Sequence, residues 1–158
     1  MRLENKRKIR LGLIRKQIGN EKMVSCFRTS VPFSVMPARM ALYAFFAMIK
    51  KDCTLSAQSC SRCMECFLSQ EEIYKNQDKI LDLYARLAGS RPLGKMSDSG
   101  IVNLSGDNFT MYKSKIRQDL QKSFPLYDQK DLEIASIGKK PNTRYGIGMD
   151  KGRIEIVY

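Results

Sequence analysis

The ten residues from Met40 to Ile49, MALYAFFAMI, carry no charge, and the Tyr43 hydroxyl is their only polar side-chain group. Pro37 suits the first turn of a helix. Met40, Leu42, Tyr43, Phe45, Phe46 and Ile49 then make that helix apolar on nearly every side, so it belongs in the centre of a core. The apolar run is about half of the ~20 residues that a bilayer requires, with Arg39 before it and Lys50-Lys51 after it, so a buried helix is expected and not a membrane span. A chain of 158 residues can surround such a helix with one domain.

Charge divides the chain. Residues 1–52 hold 12 basic and 3 acidic side chains, residues 53–104 hold 6 and 6, and residues 105–158 hold 10 and 7, giving +9, 0 and +3 of a total of +12. Such an excess favours a polyanionic partner. Residues 1–37 read as a basic N-terminal extension. Its first 22 residues mix eight cations with apolar residues, but Gly12 and Gly19 weaken a helix, so a solvated, partly disordered basic tail that packs little on the rest is expected, with a helix formed only on binding as the alternative. No compact apolar region with a small-residue cleavage site follows the basic start, and a cytoplasmic location is expected. Within 23–35, Pro32 allows an edge strand at best.

Residues 38–158 read as an α+β domain of three helices and a C-terminal β-hairpin with an extra strand. Ser69-Gln-Glu-Glu72 has the capping-box form. Ile73, Ile80, Leu83, Tyr84 and Leu87 follow at helical spacing, and Gly89 supplies a stop. After a loop over 90–104 that ends in Ile101-Val-Asn-Leu104, a third helix starts at Ser105 or Asp107 and ends before Pro125. Strands are expected over 132–137, 144–149 and 153–158, separated by turns rich in Pro, Asn, Asp and Gly.

At 100° per residue, Phe109, Tyr112, Ile116 and Leu120 of the third helix share a sector of about 80° and form its docking face. The opposite face carries Met111, Ser114, Gln118 and Gln121, flanked by Lys115 and Lys122 on one edge and Arg117 on the other. Gln and Ser reach base edges and Lys and Arg reach phosphates, so this pattern suits a DNA major groove, although an amphipathic helix with a solvated outer face has the same pattern. Lys139, Lys140, Asn142 and Arg144 place a basic tip on the hairpin that follows.

Ser114-Lys-Ile-Arg117 with Leu120, then Ile134-Ala-Ser-Ile-Gly138 and Arg144-Tyr-Gly-Ile147, resemble the winged-helix family, in particular the effector domains of response regulators. There a helix of the form S-x-[IL]-R-x-x-[IL] precedes a two-stranded wing. The resemblance spans roughly residues 38–158. It implies a winged-helix-like fold and sequence-specific DNA binding, as in a regulator of transcription or of a mobile element. The chain differs in having no four-stranded sheet before the first helix, a long loop before the third helix, and an extra strand after the wing. MALYAFF (40–46), the helix around 80–87 and Tyr145-Gly-Ile147 also resemble a group of small proteins of similar layout, which implies a fold and no function.

Cys53, Cys60, Cys63 and Cys66 fall within 14 residues in a Cys-rich loop, 53–66, of a protein with no His. A structural zinc would need all four thiols, yet zinc sites pair two C-x2-C knuckles at a longer spacing. The C-P that completes a ferredoxin run is absent. If helical, Cys60, Cys63 and Cys66 would drift along one stripe beside Met64, Phe67 and Leu68. Free thiols acting as small apolar residues are the preferred reading, so no cofactor is expected, with structural zinc the alternative.

The lack of His removes the commonest general base, and no phosphate loop, G-x-S-x-G or paired carboxylates occur, so the chain is not expected to be an enzyme. The competing class is an interaction module, a winged fold holding a protein partner while the basic surface binds RNA or an acidic protein.

Overall fold

A computed structural model describes residues 9–12, 16–18, 21–23, 36–55, 60, 63–88 and 99–157. Helix α1, Pro37–Lys51, has Pro37 in its first turn and buries every residue from Met40 to Ala47. Phe46 stands at its centre, with its ring 5.4 Å from that of Phe45 and 6.1 Å from that of Phe109. Lys50 is also buried, 2% exposed, with its ammonium 5.6 Å from the centroid of the Phe67 ring. The expected core helix is therefore present, and one of the two lysines that end it is part of the core.

The capping box forms as expected. The Ser69 hydroxyl accepts from the Glu72 N–H, and the Ser69 N–H donates to the Glu72 carboxylate at 2.8 Å. The helix it starts is not continuous, however: α2, Gln70–Lys75, is followed by α3, Gln77–Ala88. Asn76 stands at the break, and its side-chain amide donates to the Glu72 carbonyl at 2.8 Å, taking the acceptor that its own backbone N–H would use in an unbroken helix. The proposed stop at Gly89 lies outside the described residues, as do most of the 90–104 loop and the edge strand over 23–35. The end of that loop is a short helix, α4, Ser99–Val102. The Gln77 amide clamps it by donating to the Ile101 carbonyl at 2.7 Å and accepting from the Leu104 N–H.

Helix α5, Gly106–Ser123, starts at the Ser105 cap and buries Phe109, Tyr112, Ile116 and Leu120, the four residues of the expected docking face. Leu132, read as the start of a strand, instead ends the short helix α6, Gln129–Leu132, whose N-cap is Asp128.

The hairpin consists of β5, Ile134–Ile137, and β6, Arg144–Ile147, antiparallel with Ile134 opposite Ile147 and Ile137 opposite Arg144. A two-residue strand, β4, Leu68–Ser69, joins the far side of β6, so the sheet order is β4-β6-β5. The extra strand exists as β7, Ile154–Val157, but it takes no place in this sheet. It pairs in parallel with β1, Ile9–Gly12, from the segment read as an extension. That pairing joins two short runs far apart in the chain, so no local pattern announces it. Two further strands of the same segment, β2, Lys16–Ile18, and β3, Glu21–Met23, pair antiparallel with each other.

The architecture is α+β, with helices packed on a small antiparallel sheet in a winged-helix-like layout. No helix among the described residues is long and apolar enough to cross a membrane.

Candidate nucleic-acid interface

Helix α5 has three distinct sides besides its docking stripe. One flank faces α1, where the Asp119 carboxylate meets the Arg39 guanidinium at 2.8 Å. The other flank faces the hairpin: Lys113 donates to the Ser136 hydroxyl and lies over the Tyr145 ring, and Arg117 pairs with Glu133 at 3.0 Å. The outer side carries Met111, Ser114, Gln118, Gln121 and Lys122, all exposed, while Lys115 beside them is half-buried. Among the described residues none hydrogen-bonds or ion-pairs with the side chains of Ser114, Gln118, Gln121 or Lys122. Polar groups that the fold leaves unused are what a ligand surface requires.

The hairpin tip, residues 138–143, is fixed by local geometry. Gly138 has φ +79°, and a Cβ there would lie 2.9 Å from the Asn142 carbonyl, so only glycine fits. The Asn142 N–H closes the turn on the Lys139 carbonyl at 2.8 Å. Lys139, Lys140 and Asn142 are exposed. The tip leans on the start of α5: Lys140, Pro141 and Thr143 share a groove of about 450 Å³ with Gly106, Asp107 and Thr110. The wing and the helix thus border one surface.

Of the nine residues singled out in the sequence, the structure brings Ser114, Gln118 and Lys122 to the outer side of α5 and Lys139, Lys140 and Asn142 to the tip. It sets Lys115 on the flank away from the hairpin. Arg117 and Arg144 are already engaged. The Arg144 Nε donates to the Phe67 carbonyl at 2.8 Å and its Nη2 meets the Glu72 carboxylate at 3.2 Å, which ties β6 to the start of α2. Sequence reasoning missed Lys113, Glu133 and Ser136. The helical angle alone placed Lys113 between the docking face and Arg117, but only the fold shows that the hairpin covers that side.

Cys53, Cys60, Cys63 and Cys66 are free thiols, each half-buried. Residues 63–67 are not helical, so the stripe considered for Cys60, Cys63 and Cys66 does not form. The loop is tied to the segment 150–151: the Cys60 N–H donates to the Asp150 carboxylate at 2.8 Å, the Lys151 N–H donates to the Cys60 Sγ at 3.5 Å, and the Lys151 ammonium donates to the carbonyls of Cys53 and Leu55, each at 2.8 Å. Among the described residues no three or more Cys, Asp and Glu side chains come together as a metal site.

No protein-family model, no curated protein and no solved structure matches the chain.

Proposed function

We propose that this chain is a non-enzymatic, sequence-specific DNA-binding protein of the cytoplasm, a regulator of transcription or of a mobile element that acts by occupying its site. The reading rests on one observation, the unused polar outer side of α5 next to a basic hairpin tip that borders the first turns of the same helix. An α-helix about 10–12 Å across enters a major groove about 12 Å wide. Ser114, Gln118 and Gln121 then meet base edges, Lys115 and Lys122 meet phosphates on one side, and Lys139, Lys140 and Asn142 meet the backbone beside the wing. Arg144 anchors the hairpin and Arg117 holds Glu133, so neither is a primary DNA contact in this reading. No metal takes part.

A binding selection on random duplexes, followed by salt titration, tests the proposal. Enrichment of one sequence is expected, and Lys140→Ala should weaken binding to every sequence and lower the salt slope by about one, the signature of one lost phosphate contact. Recovery of no preferred sequence, with an unaltered salt slope for Lys140→Ala, sinks it. The interaction-module reading would then replace it.

A further inference from the structure

The flank of α5 that carries Lys113, Ser114 and Arg117 and the segment 133–136 of the hairpin enclose a cleft of about 210 Å³. Its charges are not balanced. The one carboxylate in its wall, Glu133, is paired with Arg117, and that pair is neutral as a unit. Lys113 remains. Its ammonium has a hydroxyl and a ring face as neighbours, Ser136 and Tyr145, and among the described residues no carboxylate is ion-paired with it. Burial pushes the Lys113 amine below its ordinary value, while Glu133 acts to raise it and Arg117 to lower it. The cleft thus carries one positive charge in excess, on a half-buried ammonium, with the Ser114 and Ser136 hydroxyls beside it.

We infer that this cleft binds a phosphate group, with the Lys113 ammonium and the Ser114 and Ser136 hydroxyls as donors to its oxygens. A tetrahedral oxyanion accepts hydrogen bonds in several directions at once, and bonds to an ionised acceptor are about twice as strong as neutral ones. A planar carboxylate ligand would leave part of this donor set unused. Ser114 belongs both to this cleft and to the outer side of α5, so a phosphate here lies directly beside the surface proposed to read base edges. Resting on the DNA reading, the inference makes the ligand a backbone phosphodiester that fixes the register of α5 along the groove.

The test uses the full chain, with inorganic phosphate as the first probe and a short duplex of the selected sequence as the second. Amide shifts are followed by NMR at constant ionic strength, with chloride as the control. Phosphate should saturably shift the amides of Ser114, Ala135 and Ser136, and the duplex should shift the same amides. Lys113→Gln should remove the phosphate response and weaken duplex binding about tenfold, with Lys113→Arg restoring most of it. Ser136→Ala is the milder variant should Lys113→Gln fail to fold, and it should weaken phosphate binding with thermal unfolding unchanged. Duplex binding that leaves these amides and the Lys113→Gln affinity unaltered overturns the cleft and leaves the DNA reading intact. Saturable phosphate binding in the cleft by a protein that binds no duplex supports the cleft, overturns the DNA reading, and makes the ligand a phosphate-bearing small molecule.

Discussion

Helices α1 and α5 are the two longest among the described residues, at 15 and 18 residues, and the fold uses them in opposite ways. In α1 almost every side chain from Ala38 to Lys50 is enclosed. In α5 only the stripe of Phe109, Tyr112, Ile116 and Leu120 is enclosed, one flank is shared with α1, another with the hairpin, and the outer side is exposed. A helix surrounded on all sides can only contribute stability, because no surface remains for a ligand. A helix docked through one stripe can change its outer residues without changing the fold, and sequence information for a partner can be held there.

The comparison is broken most directly in the core. Phe46→Ala removes a ring that is 1% exposed and wedged between Phe45 and Phe109, and should cost about 3–5 kcal/mol in chemical denaturation. A loss below about 1 kcal/mol would show that α1 is not the centre. Gly146→Ala comes next. A Cβ there falls 2.5 Å from the Phe67 ring, which is itself buried beneath Lys50, so overpacking should cost about 1–3 kcal/mol and expose the β4-β6 junction to faster amide exchange.

On the other side of the comparison, Gln118→Ala should change stability by less than about 0.5 kcal/mol, as an exposed position does. The same substitution should cost about 1–3 kcal/mol on the preferred DNA site and little on other sequences. Equal losses on all sequences would remove Gln118 from base reading.

The smallest effect expected is in acid. The Ser69 backbone N–H, aided by the Ser69 hydroxyl and the Arg144 and Lys75 charges, outweighs desolvation and holds the Glu72 carboxyl below its ordinary value. A carboxyl that is more acidic folded than unfolded adds stability above its unfolded value, and this contribution is lost as pH falls through its folded value. Because the side chain is 45% exposed, the loss is minor. NMR titration of Glu72 should show a higher midpoint in Arg144→Ala, and an unmoved midpoint would mean that Arg144 and Glu72 are uncoupled.

What the sequence disclosed was local. The α1 core helix follows from ten uncharged residues, the α2 start from the Ser69–Glu72 spacing, and the docking face of α5 from the 3.6-residue period. Each depends on residues within a turn or two of one another. What it hid was set at a distance. A two-residue strand such as β4 has no periodicity to detect, and its membership of the sheet follows from packing beside Tyr145 and Arg144. The Asn76 break is a local exception, since it depends on one side chain competing with its own backbone for the Glu72 carbonyl one turn away. The outer residues Ser114 and Gln118 of the candidate site were legible from helical angle, whereas the engagement of Arg117 with Glu133 and of Arg144 with Glu72 required knowing where the hairpin lies.

The parallel pairing of β1 with β7 sets Ile9 against Ile154, a separation of 145 positions in the chain. Bringing two such distant segments together carries one of the largest loop-closure penalties the chain can meet, although that penalty rises only as the logarithm of length. The sheet β4-β6-β5 and the α1–α5 core close far shorter loops, so their assembly does not have to wait for β1. Hydrogen exchange at Ile9–Gly12 should therefore proceed through a local opening well below the global unfolding free energy. The strand that follows the wing is therefore a clasp on Ile9–Gly12, and its opening should leave the β4-β6-β5 sheet and the α1–α5 core in place.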